Sequence, residues 1–215
     1  MDEILCPSPF HYTKGIKIMK KILIAIPTYE NISPETFKSV YDLDKGDNLV
    51  FFEFVKGYDC ARARNNIIGK ARQLDVDYVL MVDSDVILDR ETLVKLLESP
   101  YDVTFGCTPR KNTKCHEVEL FKPKEGDFTD RYTFDELDDQ ELFFPVKGGG
   151  MGCVLIKMDI IRKLPFPWFQ FISYKNGSVL SEDLYFCHIV PQVGGTVGCR
   201  KDIRNGHLAR YFQFD

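Results

Sequence analysis

Residues 78–85, Tyr-Val-Leu-Met-Val-Asp-Ser-Asp, drive an apolar run straight into two carboxylates. The run from Tyr78 to Val82 is short, rich in β-formers and free of polar alternation, as in a strand buried on both faces of a helix-covered parallel sheet. Asp83 and Asp85 follow at its carboxyl end. In open α/β sheets that end borders the crevice where ligands bind, so the pair is placed to hold a divalent cation against phosphate. Taken alone, the tripeptide suits an ordinary turn equally well, because Asp and Ser are turn residues and Asp89 can cap a following helix.

On both sides of this join, short apolar runs alternate with helical patterns. Strands are expected at 21–26, 49–55, 77–82 and 102–106. Ser33-Pro34-Glu35 caps a helix reaching about Leu43, and Asp59 precedes a second in which Ala61, Ile67, Ile68, Ala71 and Leu74 share one face. A short amphipathic helix is expected at 90–98. This alternation predicts an α/β fold built from βαβ units, with a mostly parallel central sheet flanked by helices. From Cys107 to Val146 the pattern turns polar and weakly periodic, which suits a loop with a hairpin. A glycine run at 148–152 leads into a strand at 153–157 and a helix at 158–164, stopped by Pro165 and Pro167. Ser181 caps a last helix, and a strand through 194–199 leads to Gly206 and His207.

The chain has 215 residues, 44% hydrophobic and 13% aromatic, enough for a substantial core. A net charge of −4 gives no basic signature for nucleic acid. Seven scattered cysteines, odd in number and without a C-x-x-C pair, point to reduced thiols. No apolar run approaches the ~20 residues of a membrane span, and the first twenty residues lack signal-peptide order. The expectation is a cytoplasmic protein without a transmembrane segment.

The motif order is Pro27-Thr28-Tyr29-Glu30 after the first strand, Arg62, Arg64 and Asn65 opening a helix, Asp83-Ser84-Asp85, the glycine run, Trp168, Ser181-Glu182-Asp183, and late His207. From Lys21 to His207 this order resembles glycosyltransferases of the GT-A fold, close to the family 2 type. The resemblance implies a single Rossmann-like GT-A domain over 21–215, with a nucleotide-binding half at 21–106, an acceptor-binding half at 107–215 containing a small antiparallel or loop region, and an extension at 1–20. It implies a nucleotide-diphospho-sugar donor, Mn2+ or Mg2+, and a carbohydrate or other hydroxyl acceptor.

The resemblance also distributes roles. Asp85 and His207 are metal ligands, and Asp83 faces the nucleotide ribose or reaches the metal through water. Pro27, Thr28 and Glu30 contact base and ribose, Ser84 stays with the donor, and Arg62 or Arg64, with Asn65, meets phosphate or base. Gly149 and Gly150 let the backbone approach the donor sugar or acceptor, and Trp168 stacks on a sugar ring or belongs to the core. Asp183 is the general base of an inverting reaction, while Glu182 orients the acceptor or Asp183 itself. The chain lacks the Q-x-x-R-W motif and the transmembrane helices of processive synthases.

Two rival readings remain open at this point. One is a non-catalytic nucleotide-sugar binding module, which the retained Asp85, Asp183 and His207 oppose. The other is a haloacid-dehalogenase-type phosphatase using Asp83 as nucleophile. Against it, that motif follows a first strand rather than a third, and Ile87 stands where it expects Thr or Val.

Overall fold

The computed structural model describes residues 19–29, 31–57, 59–111, 117–126 and 128–208. Glu30 and most of the expected extension lie outside the described residues. The chain begins with β1 (Lys21–Thr28), α1 (Pro34–Tyr41), β2 (Leu49–Lys56), α2 (Cys60–Gln73) and β3 (Tyr78–Val82). Both crossovers return parallel to β1, which sits between β2 and β3. The helix starts follow the local chemistry read from sequence: Ser33 accepts from the Thr36 amide, and Asp59 from the Arg62 amide at 2.7 Å.

A two-residue strand β4 (Val86–Ile87), helix α3 (Thr92–Leu96) and strand β5 (Val103–Cys107) follow. Beyond them come β6 (Glu117–Phe121), β7 (Arg131–Thr133), α4 (Phe134–Asp138), β8 (Phe143–Pro145), β9 (Gly148–Gly149), β10 (Cys153–Lys157) and α5 (Met158–Lys163). The hairpin β11 (Ile172–Ser173) and β12 (Val179–Leu180), helix α6 (Glu182–Ile189), β13 (Val197–Arg204) and β14 (Gly206–His207) complete the described chain. The large sheet runs β2-β1-β3-β10-β5-β13-β8. Only β10 and β8 run against the rest, so the sheet is mostly parallel.

Strand β10, from the second half of the sequence, wedges between β3 and β5 of the first. The two expected halves therefore share one sheet. Helices cover it on both faces. Val79 and Met81 of β3 pack with Ile67 of α2 and Phe186 of α6, whereas Leu80 and Val82 pack with Val40 of α1 and Leu93 of α3. That is the two-sided burial expected of the uninterrupted run in β3.

Two small sheets shape the carboxyl-end rim. Strands β7, β6 and β9 form one, where a Cβ on Gly149 would lie 2.6 Å from the Glu119 carbonyl oxygen, so only glycine allows that strand to close. Antiparallel β14 and β4 form the other, with His207 opposite Val86. The polar stretch expected as a loop with a hairpin holds that hairpin, and also α4, whose Thr133 and Glu136 make a reciprocal capping box. Among the described residues, no helix is long and apolar enough to cross a membrane.

Candidate functional site

A cleft of about 490 Å³ opens at the carboxyl ends of β1 and β3. Of the residues singled out in the sequence, Pro27, Thr28, Arg64, Asp83, Ser84, Asp85 and His207 line it. The turn that carries the carboxylates is pinned from several sides. The Asp83 amide donates to the Gly152 carbonyl at 3.1 Å, and the Ser33 amide donates to the Ser84 carbonyl at 2.9 Å. The Leu208 amide donates to the Asp85 carbonyl at 2.9 Å, which fastens the β14 ribbon to the turn.

This ribbon delivers His207. Its Nδ1 lies 2.7 Å from the Pro109 carbonyl, which can only accept, so Nδ1 carries a proton, and in the imidazolium form Nε2 carries a second that faces Asp85 Oδ1 at 3.3 Å. Lys111 Nζ donates to the other Asp85 oxygen. Burial pushes the Asp85 carboxyl up, but the His207 and Lys111 hydrogen bonds outweigh it and hold the group at about 2. Burial pushes the His207 imidazole down, yet Asp85 and the Pro109 carbonyl raise it on balance.

The donor set can be tested against a divalent cation. Two cis ligands, each about 2.1 Å from such an ion, stand roughly 3 Å apart, close to the observed Oδ1–Nε2 separation. The anchored Nδ1–H fixes the tautomer a ligating histidine needs, as an outer-shell carbonyl does in metal sites generally. Asp85 and His207 therefore fit a small divalent ion. Among the described residues, no group of three or more His, Cys, Asp and Glu side chains gathers around one point, so water and substrate oxygens would supply the remaining positions.

Behind the carboxylates lies a charged cluster. The Arg64 side chain is 5% exposed; it pairs with Glu182, 7% exposed, and reaches Asp83 Oδ1 at 3.1 Å. Burial alone would weaken the guanidinium, but Asp83 and Glu182 raise its pKa. Burial lifts the Glu182 carboxyl above its ordinary value against the pull of Arg64. Arg64 thus ties α2 to α6, through Glu182 118 positions away in sequence, and to the turn after β3 through Asp83.

Asp183, the next residue on α6, has Oδ1 held by the Ser181 hydroxyl and by the Leu184 amide at 2.8 Å. Its Oδ2 faces the glycine run: a Cβ on Gly150 would lie 4.0 Å from it, and one on Gly152 would lie 3.6 Å from Asp83 Oδ2. The strip 150–152 therefore runs between the two acid groups without a β-carbon at either end.

Several expected residues sit elsewhere. Arg62 is exposed and does not line the cleft, which assigns the inward position to Arg64. Asn65 Oδ1 accepts from the Trp168 and Phe169 amides, and its Nδ2 donates to the Phe169 and Ala61 carbonyls at 2.7 and 2.9 Å. All of its hydrogen-bonding capacity is spent on backbone, so it clamps the 168–169 segment to α2 instead of facing a ligand. Trp168 is 5% exposed and packed in the core, with the Arg72 guanidinium 5.6 Å from its ring centroid. Gly149 is buried under β6, and Glu182 is committed to Arg64 instead of standing free beside an acceptor. Lys111, one charge within the polar stretch 107–146, also lines the cleft; its sign, opposite to the Asp pair, is the signal the sequence offers for it. Cys60, exposed at the start of α2, also lines the cleft.

No family model matches the sequence, and no curated protein matches it. Solved structures do. The chain is similar to A197 from STIV, with a TM-score of 0.59 and 18% identity over 88% of this chain and 86% of that one. It is also similar to GalNAc-T7, in a structure with UDP, GalNAc and Mn2+, with a TM-score of 0.58 and 11% identity over 90% of this chain and 45% of that one. At these identities the likeness is one of fold. The chain shares with them a mixed α/β architecture with a large, mostly parallel sheet flanked by helices.

Proposed function

We propose that this protein is a cation-dependent glycosyltransferase that moves a sugar from a nucleotide-diphospho-sugar to an acceptor hydroxyl with inversion. The observation that carries the reading is the Asp85–His207 pair, 3.3 Å apart in the cleft at the carboxyl ends of β1 and β3 and separated by more than a hundred residues of sequence. Its support from known structures is the fold shared with GalNAc-T7, whose structure holds UDP, GalNAc and Mn2+.

Asp85 and His207 would hold the divalent ion, which supplies Lewis-acid neutralisation of the departing diphosphate. Pro27 and Thr28, which line the cleft, would contact the nucleoside, and Asp83, paired with Arg64, would face the ribose. Asp183 acts as general base. With Oδ1 already bonded to Ser181 and Leu184, Oδ2 is the oxygen left to take the acceptor's proton. As that proton moves to Oδ2, the acceptor oxygen forms its bond to the anomeric carbon, and the bond from that carbon to the diphosphate oxygen breaks. Glu182, neutralising Arg64, fixes the helix start on which Asp183 stands.

The test is a thermal-shift panel of nucleotide-diphospho-sugars with and without manganese, followed by transfer assays on Asp183→Asn. Manganese-linked stabilisation by one nucleotide, together with donor binding but no transfer in Asp183→Asn, is expected. Normal transfer by that variant removes Asp183 as the base. Nucleotide affinity without turnover on any acceptor would make the chain a binding module.

A further inference from the structure

Lys111 stands in the cleft with no part in the chemistry above. Its ammonium rests on Asp85 Oδ2, while Oδ1 of the same carboxylate faces His207. One carboxylate is thus divided between a lysine and an imidazole. The segment that presents Lys111 is itself well tied. Thr108 Oγ1 accepts from Asn205 Nδ2 at 3.0 Å, the Pro109 carbonyl accepts from His207, and the Arg110 amide donates to the Glu117 carbonyl at 2.9 Å. One stretch of backbone therefore sets the tautomer of His207 and delivers a positive charge to Asp85.

An ammonium and a divalent cation on one carboxylate repel each other, and in a partly enclosed cleft this repulsion is screened less than in bulk water. Lysine is a point charge on a four-carbon stem with freely rotating donors, so it can change partners without moving the backbone. A diphosphate brings new anionic oxygens into reach as the cation takes the carboxylate.

We propose that Lys111 is a built-in counter-cation of Asp85 that exchanges this carboxylate for the donor's diphosphate when the divalent ion binds. The proposal rests on the glycosyltransferase reading and deepens it: Lys111 holds Asp85 neutralised before loading and adds a second positive centre to the leaving group after it. Two consequences of opposite sign follow. Without the ammonium, the divalent ion should bind the free protein more tightly. Nucleoside diphosphate should bind the ion-loaded protein more weakly. A lysine that merely braces the fold would not separate the two.

The experiment is calorimetric titration of manganese alone into wild type, Lys111→Met and Lys163→Met, the last making the same charge change at an exposed residue on α5. UDP, GDP, CDP and dTDP are then titrated at saturating manganese. Lys111→Met should bind manganese about tenfold more tightly, and the preferred nucleotide about tenfold more weakly, the scale of one partly desolvated charge contact. Lys163→Met should match wild type in both. Lys111→Gln, nearer in polarity, repeats the comparison if the methionine variant does not fold. Manganese affinity in the folded variant equal to or below wild type overturns the proposal, as does unchanged nucleotide affinity. Manganese binding that is lost in Asp85→Asn but indifferent to Lys111→Met overturns the exchange and leaves the transferase reading standing; a wild type that binds no manganese overturns both.

Discussion

Replacing Arg64 by methionine keeps an apolar stem but removes the charged guanidinium, which strands Glu182 where only 7% of its side chain is exposed. Removing one partner of a buried ion pair typically costs about 3–5 kcal/mol, because the remaining charge loses both water and its counter-ion. For a chain of this size, that corresponds to a melting temperature lower by roughly 6–20 °C. The loss carries a definite pH signature. The Glu182 carboxyl already titrates above its ordinary 4.5, because burial outweighs the pull of Arg64, and without Arg64 it rises further. A group raised in the folded state loses stability as pH climbs from its unfolded value through its folded one, so the deficit of Arg64→Met is small near pH 4.5 and widens toward neutrality. Adding Glu182→Gln removes the stranded charge, and should recover much of the loss and flatten its pH dependence. Denaturant unfolding followed by circular dichroism at pH 5 and pH 8 on wild type, both single variants and the double variant measures all of this. A deficit independent of pH, or a double variant as unstable as the sum of the singles, would refute the reasoning.

Asn65→Leu should destabilise the fold by about 1–3 kcal/mol through four lost backbone hydrogen bonds, yet leave nucleotide affinity unchanged once folded; calorimetry with the preferred nucleoside diphosphate checks this. Gly149→Ala forces its Cβ to within 2.6 Å of the Glu119 carbonyl oxygen, so the β6–β9 closure must open, with an expected loss of about 1–3 kcal/mol in chemical denaturation. At Asp102, burial pushes the carboxyl up, but the Thr196 amide and hydroxyl, each at 2.9 Å, together with Lys157, hold it below its ordinary 3.8. The stability difference between wild type and Asp102→Asn should therefore be constant above about pH 5 and close as pH falls below 3.8; a gap unaltered under acid conditions contradicts that assignment.

What the sequence made legible is what local pattern controls. The apolar runs of β1, β2, β3 and β5, the caps at Ser33 and Asp59, and the carboxylates at the end of β3 all follow from short-range periodicity and turn chemistry. What it concealed depends on partners far away in the chain. Nothing near residues 153–157 shows that β10 enters the sheet antiparallel between β3 and β5, because pairing register is a long-range property. Glu182 in a first helical turn reads as an exposed dipole partner, and only Arg64, 118 residues earlier, turns it into a buried counter-ion. Arg62 and Arg64 are equivalent in sequence until α2 packs and turns one of them inward. Asn65 and Trp168 carry ligand-like chemistry, but Asn65 spends it on the 168–169 backbone and Trp168 packs into the core. Helix α4 was readable in principle, since Thr133-Phe134-Asp135-Glu136 is a capping box inside an acidic run.

The central claim, that Asp85 and His207 hold a divalent ion which a nucleotide-diphospho-sugar needs for reaction, is met most directly by one measurement. Release of nucleoside diphosphate from a panel of such donors is followed with metal-stripped protein, before and after adding manganese, in wild type and in Asp85→Asn. The account predicts release from at least one donor by wild type, dependent on added manganese and lost in the variant. Release that proceeds equally without manganese and survives Asp85→Asn would contradict it.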